Sequence, residues 1–258
     1  WPLSETFCEG SGPVVKKEIV VVHTSDVHVD HEYTARQNGG DGAMPVVKVL
    51  EAAKEVGADL VLLCGDTFDN HKVPLDLVAR VAELVREAGI PTVILPGNHD
   101  PAMEDAVWHP GGLTAVEHLH IIGVTHDEAV HFPHLDLEVW GRPHRDWGDM
   151  EPLETIRKRS TRWQIAMAHG HYDPEADRSV RPRASWLIND EEIAATGADY
   201  LALGHWNRYI KVGTGDVPAY YSGSPDYAKT VNVVRFRHNG EVSVDRHPLN
   251  WPDEEGSG

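Results

Sequence analysis

The sequence predicts an α/β fold in which two packed β-sheets are flanked by helices. Three observations carry that expectation. Up to Leu95 the chain alternates short β-branched runs with amphipathic stretches, the pattern of parallel strands joined by helical crossovers. After Pro101 strand-like pieces recur and the last two read as a hairpin, so a more antiparallel second half is expected. At 258 residues the chain can bury a sizeable core without disulfides, which favours one domain over residues 14–250 with terminal tails at 1–13 and 251–258.

Each element has its own reason. Glu18 to His23 (EIVVVH) is β-branched without a helical period and reads as a buried strand. Val46 to Val56 places apolar residues at helical intervals after Pro45, and Gly57 stands where a C-terminal cap belongs. Asp59 to Cys64 is a second buried strand. Pro74 to Ala88 is the clearest helix, closed by Gly89, and Thr92 to Leu95 is the third strand. Further strand-like runs lie at 120–122, 135–140, 164–168, 200–203, 219–222, 231–236 and 241–244. Arg237-His238-Asn239-Gly240 joins the last two, because Asn-Gly supplies positive φ angles for a tight turn.

Composition narrows the function. With 23 basic against 41 acidic residues the net charge is −18, which repels phosphate backbones and disfavours extended nucleic-acid binding unless metal ions or a basic patch intervene. Two cysteines, Cys8 and Cys64, rule out a zinc thiolate site and suit a reduced, cytoplasmic protein. No run approaches a membrane helix, and Trp1 to Thr6 lacks the cationic and apolar regions of a signal peptide. Trp1 and the final Gly256-Ser257-Gly258 read as trimmed ends. The 17 histidines are the oddity, since imidazole both ligates metals and moves protons near neutral pH.

The chemistry sits where strands end: Ser25-Asp26-Val27-His28, Gly65-Asp66-Thr67-Phe68-Asp69, Pro96-Gly97-Asn98-His99-Asp100, His169-Gly170-His171 and Gly204-His205-Trp206-Asn207. Ligands of open α/β sheets bind outside the carboxyl ends of strands, so these five loops are expected to converge. Singly, each is ordinary turn chemistry. In this order they point to a dinuclear metal site of mixed carboxylate, imidazole and amide donors, suited to borderline or hard divalent ions. Two such ions share an attacking hydroxide and stabilise both oxygens of an in-line displacement at phosphorus.

Over residues 18–225 the ordered motifs resemble the calcineurin-like metallophosphoesterase superfamily. Phe68-Asp69, Tyr200 to His205 and Tyr221-Ser222-Gly223-Ser224-Pro225 are most similar to its DNA-repair exonuclease branch, the nuclease subunits that partner coiled-coil ATPases. The resemblance implies a four-layer α-β-β-α sandwich. It also implies that Asp66 bridges two divalent ions, with Asp26, His28 and position 207 on one, and Asn98, His169 and His205 on the other. His99 is then the residue that meets the substrate phosphate and protonates the leaving oxygen, with Asp69 and Asp100 orienting the ligands or His99.

One departure stands out. The family ends its last motif Gly-His-x-His, whereas this chain has Asn207, whose amide oxygen suits hard ions better than imidazole does. Manganese is therefore expected first, with zinc or iron as alternatives. The leading expectation is a stand-alone phosphodiesterase acting on small-molecule or nucleotide diesters, because little chain follows residue 250 to cap the site or bind an ATPase. A DNA exonuclease or endonuclease is the alternative, and a catalytically weak binding module is the reading in which Asn207 has cost a ligand. Among other conspicuous residues, His23 reads as a core histidine, His171 as a solvated loop residue and Trp206 as a pocket wall. The run from Arg157 to Arg162 reads as a solvated helix end, with a phosphate-facing patch as the alternative.

Overall fold

The computed structural model describes residues 18–30, 32–176 and 185–251. The expected tails, apart from Trp251, lie outside the described residues, as do Cys8, the first residues of the expected domain and the ends read as trimmed.

In chain order the strands are β1 (Glu18–Thr24), β2 (Leu60–Cys64), β3 (Thr92–Leu95), β4 (Leu119–Ile121), β5 (Ala129–Phe132), β6 (Leu137–Gly141) and β7 (Trp163–His169). There follow β8 (His171–Tyr172), β9 (Leu187–Ile188), β10 (Tyr200–Gly204), β11 (Ile210–Val212), β12 (Ala219–Tyr221), β13 (Thr230–Arg237) and β14 (Val242–Pro248). The helices are α1 (Tyr33–Gln37), α2 (Met44–Glu55), α3 (Leu75–Ala88), α4 (Asp190–Thr196) and α5 (Pro225–Ala228). One sheet has the order β14-β13-β1-β2-β3-β4, the other β11-β12-β10-β7-β6-β5, and β8 pairs with β9 apart from them. Two mixed sheets flanked by helices are thus present, as expected.

Strand alternation explains the layers. On β1, Val20 and Val22 point to the cluster that takes in Val46, Val49 and Leu50 of α2 and Val78, Val81 and Val85 of α3. Ile19 and Val21 point the other way, into a second cluster with Leu137, Val139, Ile165 and Met167 of the facing sheet. A third cluster covers the outer face of that sheet, where Ala166, Ala168, Leu201 and Leu203 meet Ile193 of α4. The central strands are buried on both faces, which is why they read as unbroken apolar runs.

Several details differ from the sequence reading. The second sheet is not chiefly antiparallel: β6–β7, β7–β10 and β10–β12 are all parallel, and only the edge pairs β5–β6 and β11–β12 run antiparallel. Long excursions between those strands, including β8, β9 and α4, make the crossovers. The β13–β14 hairpin forms, but of its turn residues only Gly240 has a positive φ, at 93°. The stretch from Arg157 to Arg162 is not a helix end. It runs irregularly because its cations have partners elsewhere: Arg157 Nε lies 3.1 Å from buried Glu138, Arg159 2.5 Å from Asp199, and Arg162 donates to the His238 carbonyl. Ser224 starts α5, its hydroxyl accepting from the Tyr227 N–H as a cap. His23 is a core residue, fully buried with Nδ1 2.8 Å from the Tyr200 hydroxyl.

Candidate metal centre

The two sheets are bonded to each other at the carboxyl ends of β2, β7 and β10. The Cys64 thiol donates to the carbonyls of Ala168 and Ala202, and His169 Nδ1 donates to the Cys64 carbonyl at 2.9 Å. Nothing bulkier than glycine fits here: a Cβ on Gly204 would lie 1.8 Å from that carbonyl, and one on Gly65, whose φ is +84°, 1.9 Å from His169 Nδ1. The loops leaving the strands are then bound to one another. The N–H groups of Asp26 and His28 donate to the carbonyls of Gly65 and Asp66, both at 3.0 Å.

Asp26, His28, Asp66 and His205 all hold positive φ angles, 52°, 49°, 52° and 107°, in a region costly for residues with a Cβ. Such strain persists where the surroundings over-determine it. Three groups of donor atoms result, in which Asp66 is the carboxylate common to two, and His28 also belongs to a group with Asp69 and His99. One ligand atom from each of Asp26, His28 and Asp66 lies within 4.8 Å of the others, and the same holds for Asp66, His169 and His205. Asn98 joins the second group, its Oδ1 3.1 Å from His169 Nε2. Asn207 is exposed and lines the same 290 Å³ pocket as Asp26 and His28.

The electrostatics fit cations. Burial pushes the Asp26 acid up, and the neighbouring Asp66 charge adds to it. Burial opposes ionisation of Asp66 too, yet His169, His28 and His99 hold that acid well below the usual carboxylate range. Burial likewise opposes a charge on His169, but Asp66 3.2 Å away raises it to about 9. His205 is pushed down to about 4 by burial and by His169. Among the described residues no lysine or arginine pairs with Asp26 or Asp66. Two buried carboxylates without a lysine or arginine partner, ringed by imidazole and amide donors, suit divalent cations.

His99, Asp69 and Asp100 occupy different places around this cluster. His99 is exposed at the rim, its Nδ1 2.7 Å from the Asp69 carbonyl, and its N–H donates to Asp66 Oδ1. The Asp69 carboxylate lies 3.3 Å from His28 Nδ1 and so orients a ligand candidate. Asp100 faces the backbone instead. Its two oxygens accept from the N–H groups of Gly97 and Phe68, tying the Asp66 and Asn98 loops together, and burial pushes its acid up to about 8. Its hydrogen bonds hold the loops, while the His99 ring bonds the Asp69 carbonyl.

Sequence reasoning passed over His144. This fully buried imidazole has Nε2 2.9 Å from the His169 carbonyl, while its backbone bonds Pro96 and Ala102, so it ties the end of β7 to the Asn98 loop. Trp186 packs edge-on against both His144 and His205. Neither carries a motif, and only their position in the fold marks them. Trp206 stacks on Tyr221 and donates to His171, so His171 is a held wall residue and not a freely solvated one.

A profile of the calcineurin-like phosphoesterase family matches residues 19–209. Among curated proteins, the chain is 25% identical over 267 residues to the SbcD component of the SbcCD nuclease of Bacillus subtilis, covering 86% of this chain and 68% of that one. It is 28% identical over 205 residues to the DNA double-strand break repair protein Mre11 of Aeropyrum pernix, covering 72% of this chain and 48% of that one. The chain thus spans about two thirds and about half the length of these relatives, whose names set nucleic acid against the expectation drawn from net charge. In fold it resembles a putative 5′-nucleotidase of Staphylococcus aureus (TM-score 0.57, 13% identity, 92% of this chain and 55% of that one). With the family profile spanning most of the chain over the motif loops just described, this protein belongs to the calcineurin-like phosphoesterase family, metal-dependent hydrolases of phosphoesters.

Proposed function

We propose that the chain is a divalent-metal phosphodiesterase acting on small-molecule or nucleotide diesters. The observation that carries this is the position of Asp66, one carboxylate common to two sets of donor atoms. Asp26, His28 and Asn207 would complete one ion's shell, and Asn98, His169 and His205 the other's. Two ions held there supply activation of water and stabilisation of the entering and leaving oxygens at phosphorus.

The chain's own side chains do the rest. Donation from Nδ1 to the Asp69 carbonyl leaves the transferable proton of a His99 imidazolium on Nε2, the atom suited to protonate a leaving oxygen. Asp69 holds the His28 ring, and Asp100 and His144 hold the loops that carry Asp66, Asn98 and His169 in register. Oxygen donors at Asn98 and Asn207 support manganese over zinc or iron.

A polynucleotide substrate is the second reading, supported by the names of the two relatives, one a nuclease subunit and the other a DNA double-strand break repair protein. One experiment separates them: metal-stripped protein, reconstituted with manganese, zinc or iron, is assayed on mono-, di- and triesters and on single-stranded DNA. Turnover of diesters, greatest with manganese, is expected. Preference for DNA would favour the second reading, and full activity in protein verified free of metal would overturn the metal mechanism.

A further inference from the structure

Most of the large apolar and aromatic side chains are buried, yet two tyrosines stand out of the surface together. Tyr33 on α1 is 63% exposed and Tyr227 on α5 is 61% exposed. Both line the pocket that also contains Asp26, His28 and Asn207. Exposure of a large ring is common singly; two at the mouth of the metal centre, on elements far apart in sequence, call for a reason. Neither ring stacks on another aromatic side chain among the described residues, and Tyr227 has a cation over one face only. The Arg208 guanidinium, next to Asn207 in sequence, lies 5.9 Å from the Tyr227 ring centroid.

The chemistry of the wall limits the occupant. Asp30 and Asp226 line the same pocket. A second phosphate is therefore disfavoured on this side, whereas an uncharged planar ring gains from aromatic faces and tolerates the acids at its edge. Every nucleobase has a π-face, and stacking on tyrosine does not require a particular base. We infer that Tyr33 and Tyr227 form a base-stacking subsite, so that the preferred diester carries a nucleoside on the side of the phosphorus facing α1 and α5. This rests on the phosphodiesterase reading and specifies the substrate class for it.

Two measurements test it. The first compares two esters with the same leaving group, thymidine 5′-(p-nitrophenyl phosphate) and methyl p-nitrophenyl phosphate, on the manganese-loaded enzyme. The wild type should favour the nucleoside ester in kcat/KM. Tyr33→Ala and Tyr227→Ala should each reduce that preference by about 5- to 150-fold, the range for losing one base–aromatic stack, while Tyr33→Phe and Tyr227→Phe retain it. The second is calorimetric titration of adenosine 5′-monophosphate, which needs no turnover: binding should weaken in both alanine variants and persist in both phenylalanine variants. Unchanged ester preference, or equal nucleotide binding in all five proteins, would overturn the subsite. Failure to hydrolyse either ester would instead sink the phosphodiesterase reading, and the calorimetry would still decide the subsite. Both rings are exposed, so truncation removes no core packing and correct folding of the variants is expected.

Discussion

His169 presents Nε2 to Asp66 Oδ2 at 3.2 Å and Nδ1 to the Cys64 carbonyl at 2.9 Å, so one imidazole of the second sheet is held by two groups of the first. Its affinity for a proton, raised to about 9 by Asp66 against the effect of burial, keeps it charged in the metal-free protein at neutral pH. A metal ligand must be the neutral imidazole. Metal binding at pH 7–8 should therefore release about one proton from this residue. Calorimetry in buffers of different ionisation enthalpy measures it; heats that do not depend on the buffer would contradict it.

Asp66→Asn should be the most damaging ligand change, because one lost charge weakens both donor groups at once. Its effect on metal affinity should exceed the roughly 10- to 100-fold that losing an orienting partner costs. Metal content after dialysis compares it directly with Asp69→Asn, which the geometry places behind His28.

His99→Ala should leave the metal content intact and lower kcat by on the order of 10²–10⁴-fold. The ring is exposed and packs edge-on against His28, while the backbone N–H, which alanine keeps, donates to Asp66. Loss of metal in this variant would show that the ring is a ligand.

Asn207→His should tighten metal binding, more for zinc than for manganese, by replacing an amide oxygen with imidazole. Titrations of stripped wild type and variant with each ion give the comparison. Identical affinities would place residue 207 outside the coordination shell despite its lining the same pocket as Asp26 and His28.

His23 gives the protein a pH dependence independent of the metals. Burial pushes this imidazole down to about 3, so below pH 6.5 the unfolded chain takes up a proton that the folded chain refuses. Its contribution is complete above pH 6.5 and is lost as pH falls toward 3, at up to about 1.4 kcal/mol per pH unit. Urea midpoints between pH 6.5 and 4 should fall less steeply for His23→Gln than for wild type; parallel slopes would refute the assignment.

The loops of the centre are legible in the sequence because chemistry and local backbone coincide in them: Asp26, Asp66 and His205 each follow a strand whose two buried faces make an unbroken apolar run. Elements whose stability comes from tertiary contact are not. β5 is four residues with a histidine exposed, and β8 and β9 have two residues each, too short for any period. The capping box of Asn189 and Glu192 at the start of α4 is a local signal that the strand-by-strand reading passes over. His144 has no local signal at all, since its role comes from bonds to Pro96, Ala102 and His169. The basic run resembles a helix end only because its cation partners, such as Glu138 and Asp199, lie at a distance in the chain.

The burial of Cys64 turns this thiol into an internal reporter. Burial pushes its ionisation well above the usual thiol range, and its Sγ is occupied by two carbonyls of the facing sheet. The thiolate is the reactive form, so alkylation requires the sheets to part. The labelling rate at this one sulfur, read by peptide mass, therefore counts opening events of the whole domain, and the factor by which added metal slows it measures how strongly the ions hold the sheets together.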